Sequence, residues 1–541
     1  PSRQGGRRKS EGVHAWLVGA DIGCLAAAVH LIQDAKVPGS QIHILKNSAS
    51  QSHILESFPV NKGFGLDKES YPEEGQLSPI RILNRDYVCT NELLSRIPSL
   101  SAPMRSVQEE LIETENDRNL CEDFQTKVIT NDGQNMQVLD AQRLELCLGD
   151  RGRIKKMMFE SKKNLMKTRI MDIFDQEFFH SKFWSIWATK YVFMVLLFAQ
   201  YGMKLTLEWD FTNLHTLGPI DSTPYELFNG IIIPITSYLQ AHGVEIEHNV
   251  NVLDVMMNSE TYPALASGLK ISQSGTEEII NFCPQDILII TVGSIFAGST
   301  IGTNKSPPAP IPNVEELKLD DSWNLWFQLS QKHPEFGNPS PFCARIAESA
   351  IECFLVALDD WACFERFKSL VHAPPHTGTL VSLKDSNWRL SINLPRQPSL
   401  TSQPESAPLI WGYALSPSEE GNFIRKPMSS CSGDEVLTEV LQQMQLPPGL
   451  TLEHSTVVTS LMPLATAQYL TRDEGDRPKA ILNTVRNMAL IGQFVELPND
   501  TVFSMEYSVR SAQTAVYHLM SLDKQPKAHK GYWDSFWADL L

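Results

Sequence analysis

The chain has 541 residues, 42% apolar and 20% charged, with 30 Gly and 33 Pro. That is ordinary globular composition and excludes fibrous, collagen-like and disordered classes. Its 46 Lys and Arg against 63 Asp and Glu leave a formal charge of -17, a field that opposes phosphate backbones and sets nucleic acid aside as a partner.

Nine cysteines with no CxxC pair and no Cys/His cluster at ligand spacing argue against a disulfide framework and a structural zinc site, and point to reduced thiols in a cytoplasmic setting. No metal ligand is assigned. Pro1 to Lys9 is basic and carries no small-residue cleavage site before the apolar run that follows.

From Val13 the sequence reads VHAWLVGADIGCLAAAVHLIQDAKVPGSQIHIL. An apolar run, a Gly turn, an Ala/Leu helix stopped at Pro38 and Gly39, and a second apolar run from Ile42 to Leu45 predict a βαβ unit. The fold class is therefore α/β, opened by a Rossmann-like domain of the dinucleotide-binding type. Gly19, Ala20, Gly23 and Cys24 form the turn at which a diphosphate would meet the helix N-terminus. Two readings of that turn stand side by side. The fold needs only strand, turn and helix, whereas a dinucleotide also needs an uncharged turn. Asp21 stands where the second glycine belongs, and Lys46 and Asn47 stand where a ribose-binding acid belongs.

Residues 73–84 read as loop. Asp172 to Trp187 opens an aromatic-rich helical region reaching about Leu207. Phe178, Phe179, Phe183, Trp184 and Trp187 are either core or the wall of a pocket for a long apolar ligand. The apolar stretch Val192 to Ala199 is far shorter than the roughly 20 residues of a spanning helix.

A helix feeding a strand follows over Ile231–Asp254, then an apolar strand over Asp286–Ser294 and a Pro-rich connector over Ser306–Pro312. Val381–Leu394 and Pro408–Leu415 are strand-like, Met488–Gly492 is a buried-type strand, and Tyr507–Leu519 is a helix. In the tail, Trp533, Phe536, Trp537, Leu540 and Leu541 fall on one helical face. That face either docks on this protein or its dimer partner, or lies on a lipid surface as a peripheral membrane contact of residues 531–541.

The order implies a discontinuous FAD-type domain from residues 1–120, 231–305 and 476–523. A helical substrate or lid region occupies 121–230, a substrate domain 306–475 and a C-terminal amphipathic helix 524–541. GxSxG, HExxH, Walker and EF-hand signatures are absent from the sequence.

Seven segments, in order, carry a resemblance over nearly the whole chain: AAAVHLIQDAKVPGSQIHIL (26–45), LLSRIPSL (93–100), FWSIWAT (183–189), HPEFGNPSPFC (333–343), LKDSNWRLSINLPRQP (383–398), RKPMSSCSGDE (425–435) and IGQFVELPNDTVFSMEYSVR (491–510). The chain resembles the oleate hydratase family, also called myosin-cross-reactive antigens. The resemblance implies FAD serving structure and charge rather than redox, addition of water across an isolated cis double bond of a long unsaturated fatty acid, and a homodimer.

An alkene is a poor base, so an acid must protonate one carbon while water is delivered to the other. The family's acid is a tyrosine in an Arg-Arg-Tyr segment after the FW-rich helix, which implies Tyr201, following a short deletion. A core tyrosine is the competing reading. The family's flavin loop of the form RGGRE or RGGRM maps onto residues 75–84. Arg81 keeps the frame there, the glycine pair is gone, and Ile82 replaces the water-activating acid. Asp86 is the nearby substitute, or simply the acid that starts a helix.

Gly492, Thr501 and Val502 belong to the segment that closes over the cofactor in the family. The departures gather at the turn, the ribose position and the flavin loop. They leave three functions in view: the hydratase, an isomerase or cyclase that protonates a polyene or isoprenoid without supplying water, and a non-catalytic lipid-binding protein.

Overall fold

The computed structural model describes residues 10–19, 21–46, 87–116, 125–131, 135–139, 146–190, 203, 228–258, 260–311, 314–373, 378–397, 407–447, 449–498, 500 and 504–527. Its first layer is the expected Rossmann-like sheet. Five parallel strands run in the spatial order Met488–Ile491, Ile287–Thr291, Ala15–Val18, Ile42–Lys46, Glu245–His248. The runs ILIIT and MALI are buried at every position, as central parallel strands covered on both faces must be.

The opening helix, Ile22–Gln33, buries a continuous stretch from Gly23 to Leu31 and packs on the closing helix, Met505–Leu519. Gly23 sits at that crossing, where an added Cβ would lie 3.3 Å from the Ser508 carbonyl oxygen. Glu506 ties a third helix, Val88–Leu94, to the pair: it accepts from the Cys89 and Thr90 N–H groups at 3.0 and 2.8 Å and is bonded to Arg510 at 2.8 Å. Sequence-distant segments thus build one domain because each supplies an apolar face that the others cover.

The strand expected to continue from residue 245 to 254 is two strands. Asn249, with φ of 58°, turns the chain between them. Glu245–His248 joins the parallel sheet, while Val250–Asn258 pairs antiparallel with Leu265–Gln273 in a separate three-stranded sheet completed by Thr276–Asn281.

The third sheet has eight strands in the order Thr300–Gly302, Ser455–Met462, Ile351–Leu358, Leu409–Ala414, Leu390–Leu394, Thr379–Leu383, Gln125–Asn131, Met136–Leu139. Two expectations change here. Val381–Leu394 is a hairpin rather than one strand, folded at residues 384–389. Gln125–Leu139, read as part of a helical region, supplies two strands instead. These residues lack an apolar run of their own and are held by pairing with Thr379–Leu383, more than 200 positions away in sequence.

One face of this sheet packs Phe354, Trp388 and Ile410 under the helices Trp361–Leu370 and Gly433–Gln443. The other joins the aromatic core of Phe178, Phe183, Trp187 and Trp323. The described part of the helical aromatic region from residue 173 on includes two short helices, Gln176–Phe179 and Lys182–Lys190. Eight described cysteines carry free thiols. Among the described residues no helix is long and apolar enough to cross a membrane.

Candidate functional site

The carboxyl ends of the parallel strands bring together four of the residues singled out from the sequence. Gly19 follows the first strand with φ of 123°, a conformation that L side chains rarely adopt. A Cβ on it would lie 3.0 Å from Thr291 Oγ1, and one on Gly492, which follows the strand Met488–Ile491, 3.2 Å from Thr291 Cγ2. Gly23 and Cys24 open the helix beside them, and the Gly492 N–H donates to Ser511 Oγ at 3.0 Å. This is the edge at which doubly wound sheets bind their ligands. Ala20, Arg81, Asp86, Tyr201, Thr501 and Val502, like residues 531–541, lie outside the described residues.

The turn is filled from within. Asp21 caps the opening helix: its Oδ1 accepts the Cys24 N–H at 3.1 Å and the Thr291 hydroxyl at 2.8 Å. The Cys24 thiol bonds back to the Gly19 carbonyl at 3.0 Å. Burial pushes the Asp21 carboxyl above the usual carboxylate range, against the Thr291 and backbone hydrogen bonds that favour ionisation. A dinucleotide diphosphate needs those N–H groups and the positive end of that helix, and here both are turned on the chain's own carboxylate. The Rossmann-like scaffold is kept, but in this conformation the turn does not fit the diphosphate. Lys46, buried at the end of the second strand, is likewise not the acid a ribose hydroxyl wants.

At the opposite, amino end of the same sheet lies a group of potential metal ligands: His43, Glu245 and Glu247 have ligand atoms within 4.8 Å of one another. Both His43 nitrogens are engaged within the chain, Nε2 with His14 Nδ1 at 3.0 Å and Nδ1 with Glu245 at 3.1 Å. That arrangement is a hydrogen-bonded relay.

A cleft of about 530 Å³ opens on the eight-stranded sheet, within the size range of small-molecule sites. One wall is aromatic and aliphatic, from Phe179, Trp184 and Ala188; the other is the 384–389 hairpin turn with Leu390 and Leu415. The aromatic helices are therefore partly core and partly wall. Trp187 is completely buried, and Trp184, 3% exposed, reaches the cleft.

Arg389 closes the turn. It has a left-handed backbone at φ of 55°, and among the described residues its guanidinium has no hydrogen-bond or ion-pair partner. Burial lowers its pKa to about 10, with Glu419 as the opposing charge.

A second group that the sequence did not flag is Glu352, fully buried in the strand Ile351–Leu358. Among the described residues neither of its oxygens has a well-formed hydrogen bond, and the Thr459 hydroxyl beside it is too poorly placed to supply more than a weak one. Burial pushes its carboxyl up to about 8, with Thr459 offsetting a lesser part, so at neutral pH it is mostly protonated. The signals available in the sequence were an Asp three residues before Cys24 at the head of an apolar helix for Asp21, and a lone Glu in a run of apolar strand residues for Glu352.

Comparison with known proteins agrees with the ordered segments. The family model described as "MCRA family" matches residues 12–517. The chain is similar to the oleate hydratase of Streptococcus pyogenes serotype M49 (strain NZ131), 29% identical over 95% of this chain and 87% of that one. It is also similar to the linoleate hydratase of Lactiplantibacillus plantarum, 27% identical over 95% of this chain and 96% of that one. Among solved structures, an oxidoreductase from Methanosarcina mazei matches with a TM-score of 0.46 at 12% identity, covering 92% of this chain and 99% of that one.

Proposed function

The chain belongs to the MCRA family, and from that premise we propose that it is a hydro-lyase adding water across an isolated double bond of a long-chain unsaturated fatty acid. The match from residue 12 to residue 517 carries the reading, because it spans the sheet, the aromatic helices and the cleft together. The names of the two relatives, oleate hydratase and linoleate hydratase, supply the substrate class and lend nothing to isomerisation or cyclisation.

The reaction is a proton transfer. One alkene carbon takes a proton from an acid, water bonds to the other, and the proton that water sheds returns to a base. In this reading Tyr201 is the acid. Asp86, standing in for the acid lost at Ile82, receives the proton from water.

What the chain's own residues contribute is a cleft with an apolar wall on one side and polar and charged groups on the other. Phe179, Trp184 and Leu415 give an apolar chain a surface to bury against. In the family FAD serves structure and charge. No step is assigned to it here, because Asp21 holds the donors its diphosphate would use. A homodimer and a lipid contact through residues 531–541 belong to the same proposal.

The test is direct. Purified protein is incubated with oleic or linoleic acid and the products are analysed by mass spectrometry, with Tyr201→Phe in parallel. Hydroxy acid from the wild type and a large loss in the variant are expected. Unchanged hydration by the variant removes Tyr201 from the mechanism.

A further inference from the structure

A long-chain fatty acid brings a carboxylate as well as an alkene, and a chain of net charge -17 repels anions unless a cation is placed for them. The cleft places one. The turn carrying Arg389 is braced on every side: the Asn387 N–H donates to Asn422 Oδ1 at 2.8 Å, and Asn422 Nδ2 donates to the Asp385 carbonyl at 3.0 Å. The Arg389 N–H donates to the Ser386 carbonyl at 2.9 Å, and the Ser416 N–H donates to the Trp388 carbonyl at 3.1 Å.

Asn422 is itself fixed by the buried carboxylate of Glu439, which accepts its N–H at 3.0 Å. The framework thus holds a non-glycine residue at φ of 55°, a backbone conformation with a cost that persists where the surroundings enforce it and that clusters at binding sites.

The neighbouring cations behave differently. Lys384 is bonded to Asp385 at 3.2 Å, and Arg345 to Thr471 Oγ1 at 2.8 Å and Glu348 at 3.3 Å. Arg389 alone among these faces the cleft without such a bond. A guanidinium drawn partly out of water, with only the through-space charge of Glu419 to offset it, is costly, and its planar fork fits a carboxylate with two parallel hydrogen bonds.

We propose that Arg389 is the anchor for the substrate carboxylate, and that the alkyl chain runs from it along the wall formed by Phe179, Trp184 and Ala188. The inference rests on the fatty acid reading above and adds a consequence to it. With the carboxylate fixed, the position of the reacting double bond is counted from the carboxyl end of the chain.

The experiment measures binding of oleate and of methyl oleate by calorimetry to the wild type, Arg389→Leu and Arg389→Lys, with hydration of oleate assayed on the same preparations. The ester keeps the chain and loses the charge. The wild type is expected to bind the acid about 10–100-fold more tightly than the ester, the difference a charge-assisted pair makes. Arg389→Leu is expected to erase that preference and raise KM for oleate, and Arg389→Lys to restore part of it, which shows that the turn still folds.

Equal oleate affinity in the wild type and Arg389→Leu overturns the anchor, even if hydration continues. An equal loss for acid and ester overturns it too, since that reports a damaged cleft. Arg389-dependent binding of oleate without any hydroxy acid product sustains the anchor and overturns the hydratase reading instead. Absence of oleate binding by the wild type overturns both.

Discussion

Two turns of this molecule hold a charged residue at the end of a sheet, and they treat it in opposite ways. At the carboxyl edge of the parallel sheet, Asp21 is bonded to the Cys24 N–H and the Thr291 hydroxyl; its charge is spent inside the fold. At the 384–389 turn of the eight-stranded sheet, the backbone is braced but the guanidinium of Arg389 faces a cleft with no hydrogen-bonded partner among the described residues. A charge with its partners built in reports a filled site, whereas one held in place without partners reports a site kept for a ligand. The nucleotide-type end of the scaffold is self-contained, and the open cation lies in the cleft on the eight-stranded sheet.

Breaking that contrast starts with the chemistry. Tyr201 follows in sequence the aromatic helix that walls the cleft, and Tyr201→Phe should lower hydration by about 10²–10⁴-fold, the range for one positioned acid. A steady-state assay with oleic acid reads this. A loss of less than threefold would place the proton donor elsewhere.

Next in size is the emptying of the filled site. Asp21→Gly returns the N–H donors and the helix end to an incoming diphosphate, so FAD affinity should rise at least roughly tenfold over the wild type. Flavin absorbance and calorimetric titration measure it. Stoichiometric FAD binding by the wild type, unimproved in the variant, would show that Asp21 swings away and that the turn is not self-filled.

A third acid sharpens the rule, since Glu352 is fully buried with only the weak help of the Thr459 hydroxyl and goes neutral. Its carboxyl holds its proton to about pH 8 in the folded chain against 4.5 for the ordinary group. Between those values the folded state binds more protons than the unfolded. Its stabilising contribution is therefore fully present below the ordinary value, is lost as pH rises through that window and levels off above it. Glu352→Gln should flatten this slope and raise Tm at pH 9 by a few degrees, with little change at pH 5. Parallel melting curves for the two proteins across that range would contradict the assignment.

Much of this was legible in the residues. The strand, turn and helix from Val13 to Leu45 could be read because Gly19, Pro38 and Gly39 punctuate apolar runs of the right lengths. The return of Ile287–Thr291 and Met488–Ile491 to the same sheet could be read because fully buried parallel strands are apolar throughout.

The strands at 125–139 were not legible, since QTKVITN has no clean alternation and owes its form to a partner far along the chain. The hairpin in Val381–Leu394 was hidden because its turn carries no glycine and leaves a left-handed Arg389 to make the bend. Asp21 was seen as an obstacle to phosphate. Its role as a helix cap was written in the same letters, but its bond to Thr291 was not, because that hydroxyl is 270 positions away. Arg389 as an open cation needed the cleft itself.

The most direct measurement incubates the purified protein with oleic acid in water enriched in oxygen-18, with no flavin added, and determines the mass of the product. The account predicts a hydroxy acid carrying one solvent oxygen. A rearranged product of unchanged mass, or turnover that appears only when FAD is supplied, would contradict it.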